Sequence, residues 1–196
     1  MTKSKIYIDS CCVINYCKGE TRSNLTEDEK KDVWFIKRMF LAKFHNDVEI
    51  FTSALTIAEC LYTDKMTFSA TDEEKEIFNR VLLSGRIALS YPVDHLIALK
   101  SRDIRWNNKI NIRRGADGVH VATAVNLKCN ELWTIDGKIA KDDARKKIFS
   151  QYGLAIINPS KTLCLPDEYK KLLLTDKIEE GIRDGKRKKA EAIQPV

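Results

Sequence analysis

Four acidic residues sit in short apolar contexts: Asp9 after Ile6-Tyr7-Ile8, Glu59 within Ile57-Ala58-Glu59-Cys60-Leu61, Asp117 after Gly115-Ala116, and Asp136 at the end of Leu132-Trp133-Thr134-Ile135. A carboxylate in apolar surroundings is costly unless a cation or a hydrogen-bond donor meets it. Mg²⁺ and Mn²⁺ are hard ions that take oxygen ligands, so a ring of carboxylates suits metal-assisted attack on a phosphodiester. Each acid alone has a plainer reading. Asp117 and Asp136 both precede helical segments and could be N-caps, Thr56-x-x-Glu59 has the form of a capping box, and Asp9 could close an Asx turn. Four such residues converging at one end of a sheet favour a metal site.

The elements that must bring them together are legible as apolar runs. Ile6-Tyr7-Ile8, Val48-Glu49-Ile50-Phe51-Thr52, Ile87-Ala88-Leu89, Glu131-Leu132-Trp133-Thr134-Ile135 and Leu154-Ala155-Ile156-Ile157 read as strands. Helical patterns cover Asp28 to Phe44, Ala54 to Thr63, Asp72 to Leu83, Val93 to Trp106, Gly118 to Lys128 and Lys138 to Gln151. Alternation of this kind predicts an α/β fold, a three-layer α/β/α sandwich around a mainly parallel sheet of five strands, for residues 1–158. Residues 159–196 form a C-terminal extension, with a helix expected over 165–185 and a polar end at Gly185-Lys186-Arg187-Lys188-Lys189. In such sheets ligands bind beyond the carboxyl ends of the strands, where the strand order reverses. Asp9 and Asp136 are expected to end two neighbouring strands there. Asp117 opens the helix before the fourth strand and shares a face with Val121 and Ala124, while Glu59 lies in the helix after the second.

Composition agrees with a globular domain: 196 residues, 43% apolar and 32% charged, with a net charge of +6 that makes a polyanionic partner plausible. The six cysteines form no Cys-x-x-Cys pair and are read as reduced thiols; Cys12, Cys60 and Cys129 have apolar neighbours, where Cys behaves as a small hydrophobe. The N-terminus lacks the apolar stretch of a signal peptide or a membrane span, so a cytoplasmic protein without membrane contact is expected. Neither Gly-x-x-x-x-Gly-Lys-Ser/Thr nor Gly-x-Gly-x-x-Gly occurs, which argues against those nucleotide-binding loops. Between Lys100 and Arg114, the basic residues Lys100, Arg102, Arg105, Lys109, Arg113 and Arg114 face one acid, Asp103, with Trp106 among them. Arg105, Trp106, Arg113 and Arg114 are the candidate contacts to a single-stranded nucleic acid, against the alternative of a solvated helix face. His120 reads as a packed or surface histidine within reach of the acids.

Ile6-Tyr7-Ile8-Asp9-Ser10, Ser53-Ala54-Leu55-Thr56-Ile57-Ala58-Glu59, Ala116-Asp117-Gly118-Val119-His120-Val121-Ala122-Thr123-Ala124 and Leu132-Trp133-Thr134-Ile135-Asp136 resemble, in order and spacing, the four motifs of PIN-domain nucleases. The resemblance spans residues 4 to 158, and the stand-alone VapC-like toxins of toxin–antitoxin pairs are the nearest likeness. It implies that Asp9, Glu59, Asp117 and Asp136 are catalytic, and that Asp9, Asp117 and Asp136 hold Mg²⁺ or Mn²⁺. It further implies supporting hydroxyls at Ser10 and Thr134, an RNA substrate, an antitoxin partner and pairing as a homodimer. Two features depart from the pattern. Many relatives carry Asn where this chain has Cys11, so the amide that would brace the first acid is missing, and residues 18 to 47 make a longer excursion than a minimal domain needs. A nuclease-shaped RNA-binding module with weak or no catalysis is one alternative; a PIN nuclease acting in RNA processing or on structured DNA is another. A haloacid-dehalogenase-type enzyme would want an acid where Cys11 sits.

Overall fold

Ile6, Tyr7 and Ile8 are all fully buried, a state that a strand reaches only when both faces of its sheet are covered. The computed structural model describes residues 3–63, 68–106, 110–112, 114–137, 139 and 141–171. In it β1 (Ser4–Ile8) is the central strand of a parallel sheet with β2 (Val48–Ser53), β3 (Leu89–Tyr91), β4 (Glu131–Trp133) and β5 (Ala155–Ile157), in the order β3-β2-β1-β4-β5. Side chains alternate across the strands. Ile6, Ile8 and Trp133 join one core layer with Val13, Ile36 and Val81; Tyr7, Leu132 and Ile156 join the other with Ile97, Val121 and Ile148. Helices α1 (Ser10–Thr21), α2 (Glu27–Phe44) and α4 (Asp72–Leu82) build the first layer, and α5 (His95–Trp106), α6 (Gly115–Asn126) and α7 (Asp142–Tyr152) the second. The short α3 (Ala54–Glu59) follows β2. The expected three-layer α/β/α sandwich is present.

Strand order reverses beside β1, because the chain builds β2 and β3 on one side of it and then crosses to β4 on the other. Ile8 pairs with Trp133. The carboxyl ends of β1 and β4 therefore lie side by side at the reversal point. Two glycines permit close helix packing around this frame. A Cβ on Gly19 would stand 2.5 Å from Val33 Cγ1, where α1 meets α2, and one on Gly118 would stand 2.6 Å from Ser101 Oγ, where α6 meets α5.

Several expected boundaries move. α1 was not expected; it is N-capped by Asp9, and its Ser-Cys-Cys-Val-Ile-Asn-Tyr stretch has poor intrinsic helix propensity. β3 lies two residues beyond Ile87, and Ala88 N instead bonds Val81 O at 3.4 Å. α3 stops at Glu59 rather than Thr63, β4 stops at Trp133 short of Asp136, and α6 begins early enough to put Asp117 inside its first turn. α2 and α4 start at complete capping boxes, Thr26 with Glu29 and Thr71 with Glu74.

Residues 159–170 fold back over the first layer. They form two 3₁₀ turns, Pro159–Lys161 and Asp167–Lys170, and bury Leu165 and Tyr169 in its core. Of the helix expected over 165–185, the described residues 165–171 carry the second of these turns, and positions 172–196 lie outside the described residues. Glu131, at the start of β4, anchors this segment. Its buried carboxylate accepts Trp133 Nε1 at 2.8 Å, Thr162 Oγ1 at 2.7 Å, Leu163 N at 2.7 Å and Cys164 N at 3.0 Å. Among the described residues no helix is long and apolar enough to cross a membrane. Replacing Glu131 by Ala strands an indole N–H, a hydroxyl and two backbone amides, so unfolding in urea should show a loss of roughly 3 kcal/mol; a loss within the ordinary scatter of surface substitutions would refute the anchor.

Candidate active site

The turn from β1 into α1 sets the first acid. Asp9 N donates to Trp133 O at 3.3 Å, holding it at the β1–β4 seam, and Asp9 Oδ1 accepts the Cys12 amide at 3.2 Å as the N-cap of α1. The Cys11 thiol donates to the same oxygen at 2.7 Å, while Cys11 Sγ accepts Ile135 N at 3.0 Å and lies 3.4 Å from Thr134 Oγ1. The missing amide thus leaves no gap, because a thiol braces Asp9 and ties it to the segment after β4. Asp9 is 3% exposed. Burial raises its carboxyl above the ordinary value, against the opposing pull of the Cys11 bond, the His120 ring and the Thr134 hydroxyl.

Asp117 lies in the first turn of α6, 8% exposed, and among the described residues no hydrogen-bond donor reaches its carboxylate. Burial raises its affinity for a proton; the Arg114 guanidinium and His120 oppose the shift, and the charges of Asp136 and Asp9 add to it. Those last two influences put Asp117 within electrostatic reach of Asp136 and of Asp9. Asp136, past the end of β4, donates its amide to Thr134 Oγ1 at 3.1 Å, and its Oδ2 is 3.5 Å from Arg114 Nη1. Neither Asp117 nor Asp136 is a helix cap, since Arg114 precedes α6 and Lys141 precedes α7. Asp9 does cap a helix while facing the site.

Glu59, half-buried, ends a chain of polar groups that runs inward through His120 to Tyr7. His120 Nε2 lies 2.9 Å from Glu59 Oε2, and His120 Nδ1 lies 2.8 Å from the Tyr7 hydroxyl. The His120 bond holds the Glu59 carboxyl below its usual range, with the Ser10 hydroxyl assisting against desolvation, so Glu59 is an anion that accepts from Nε2–H. Burial pushes the Tyr7 phenol far above its ordinary value, so it stays protonated beside His120 Nδ1. Thr56 does not form a capping box with Glu59; its hydroxyl accepts Thr52 Oγ1 at 2.7 Å instead. His120, at 3% exposure, is a packed histidine as expected, and its part in orienting Glu59 was not foreseen. The signal lay in Tyr7, a phenol in the middle of a buried strand that needs a polar partner.

The basic stretch divides. Arg105 Nε donates to Ile112 O at 2.9 Å, and its Cδ would stand 3.1 Å from a Cβ on Gly118, the residue after Asp117. Trp106 is 69% exposed, with the Arg102 guanidinium 5.1 Å from its ring centre. Arg105, Trp106, Ile110, Asn111 and Ile112 line an open groove there. Arg114 faces the acids, Lys100 lies over the Tyr152 ring, and Lys109 and Arg113 fall outside the described residues.

In donor chemistry the set suits a hard divalent cation: Asp9, Asp117 and Asp136 supply oxygens, and a buried carboxylate that no donor among the described residues reaches, at Asp117, is a group whose charge a cation would balance. All six cysteines are free thiols. The carboxylate of Asp9 and the thiols of Cys11 and Cys12 form one group whose ligand atoms all lie within 4.8 Å of one another.

Two outcomes follow from the electrostatics. Asp117 binds its proton more tightly folded than unfolded, so without divalent ions it lowers stability as pH rises through its raised folded value. Asp117→Asn should therefore melt above the wild type at neutral pH in chelator, with the gap closing in acid; identical melting curves at all pH would refute this. His120→Ala should return the Glu59 carboxyl toward the ordinary range in a carbon-detected NMR titration, and should cost about 1–3 kcal/mol through the orphaned Tyr7 hydroxyl. An unmoved Glu59 titration would mean that His120 does not orient it. No family model matches the chain, and no curated protein matches it either.

Proposed function

We propose that the chain is a metal-dependent endoribonuclease of the PIN type. The observation that carries this reading is the placement of Asp9 and Asp136 just past the neighbouring ends of β1 and β4, where strand order reverses, with Asp117 in the first turn of α6 feeling the charge of both. Asp9 and Asp117 would be direct ligands of Mg²⁺ or Mn²⁺, and Asp136 would complete the shell. Bound there, the ion would supply Lewis-acid stabilisation to a phosphodiester and an acidified water.

The chain's own residues supply the rest. Glu59, ionised and fixed by His120 and Ser10, is suited to orient the water that attacks. Cys11 and Thr134 hold Asp9 against the segment after β4. Arg114, 63% exposed at its side chain, balances Asp136 and is placed to turn toward a phosphate oxygen. Trp106 and Arg102, beside the Arg105 groove that borders α6, offer a stacking surface for an unpaired base. Following the resemblance, we extend the proposal to a toxin of the VapC type, paired as a homodimer and restrained by an antitoxin protein.

With single-stranded RNA and Mn²⁺ or Mg²⁺, the full chain should cut, chelator should stop it, and Asp117→Asn should lose more than about 100-fold in rate while its circular dichroism is retained. Equal cleavage by Asp117→Asn would sink the assignment. Growth arrest on expression of the wild type but not of Asp117→Asn is the expected sign of a toxin.

A further inference from the structure

We propose that Asp9, Cys11 and Cys12 form a site for a thiophilic divalent cation, Zn²⁺ or an ion of similar softness, distinct in chemistry from the carboxylate site that shares Asp9. Binding itself stands apart from the nuclease reading; only its inhibitory consequence rests on that reading. The ligand atoms of the three residues all lie within 4.8 Å of one another, Cys11 Sγ and Asp9 Oδ1 are 2.7 Å apart, and the Cys12 thiol donates to Trp133 O at 3.3 Å. Ligands of one tetrahedral Zn²⁺ stand about 3.5–3.8 Å apart, from bond lengths of about 2.0–2.3 Å. The group therefore needs small shifts to close around an ion. Three protein ligands with water in the fourth position is an ordinary zinc arrangement.

The thiols have no better use for oxidation. Neighbouring residues joined by a trans peptide have Cα atoms about 3.8 Å apart, below the roughly 4.4 Å at which ordinary disulfides begin. A soft cation is the partner that suits them, whereas Mg²⁺ and Mn²⁺ pass thiols over for oxygen. Charge also balances. Zn²⁺ displaces both thiol protons to solvent and bonds two thiolates, so its two positive charges cancel their two negative ones. Cys11 is the partly exposed member and Cys12 is fully buried, so the ion enters past Cys11. Once Asp9 is engaged with sulfur-bound metal, it is lost to the oxygen site it shares with Asp117 and Asp136.

The probe is Cd²⁺, titrated into the full chain held reduced and metal-free, with thiolate-to-metal charge-transfer absorption in the ultraviolet as the readout. The band should saturate at one ion per chain, persist in Cys164→Ser, and be lost in both Cys11→Ser and Cys11→Ala when circular dichroism shows them folded. On the wild type alone, Zn²⁺ should protect Cys11 from alkylation in peptide mapping and leave Cys164 reactive. A band undiminished in the Cys11 variants, or no protection of Cys11, overturns the proposal. With Mn²⁺ present, Zn²⁺ should slow RNA cleavage by the wild type and spare Cys11→Ser, each measured against its own uninhibited rate. A wild type that never cuts RNA refutes the nuclease reading, while the absorption and alkylation results still judge this site.

Discussion

One carboxylate oxygen, Asp9 Oδ1, takes both the Cys12 amide and the Cys11 thiol, and the arrangement of the sheet's carboxyl edge follows from that shared acceptance. The amide bond starts α1 directly after β1. The thiol bond, with Ile135 N donating to the same sulfur, draws the segment beyond β4 against the end of β1. Since β1 and β4 already pair through Ile8 and Trp133, these side-chain links extend the seam past the point where the backbone ladder stops. The distance between elements that carry separate acids is thereby governed by a cysteine.

Such an edge is unfavourable electrostatically. Asp9 and Asp117 are buried and both hold their protons more tightly than a free carboxyl would, with neighbouring negative charge adding to the effect at Asp117. A fold selected for stability alone would replace at least one with an amide. Arg114 relieves part of the strain with a fixed positive charge near Asp136, and His120 relieves part by hydrogen bonding to Glu59. Both compensations come from α6 or the residue before it, so the start of this helix supplies an acid in its first turn and, from its cap and second turn, the groups that moderate the acidic edge.

Much of this was legible in the sequence because burial on both faces of a parallel sheet leaves continuous apolar runs. Ile6-Tyr7-Ile8 and Leu132-Trp133 announced the central strands, and the acids just beyond them marked the edge. α1 was hidden because its signal is carried by cysteines and β-branched residues, and because its cap is the same Asp9 that had a chemical reading. β3 was misplaced because Leu89, Ser90 and Tyr91 lie at the sheet's edge and are not buried, whereas the apolar Ala88 packs below them. Cys11 was judged by the amide it replaced, and a thiol's capacity to donate to one group while accepting from another shows only when both partners are in place. Tyr7, His120 and Glu59 are far apart in sequence, so their chain of hydrogen bonds is a property of the fold.

β4 has only three residues, and side chains or backbone from elsewhere grip it beyond both ends: Glu131 binds the segment 162–164 at its start, while Thr134 N donates to Ile157 O and Ile135 N meets Cys11 at its finish. A strand so short has little internal freedom to absorb a shift at one end. It works as a strut, tied at one end to the C-terminal segment and at the other to the acidic edge. Shortening the chain after residue 158 would then do more than remove a tail, because releasing Glu131 frees the far end of the strut on which the setting of Thr134 and Asp136 depends.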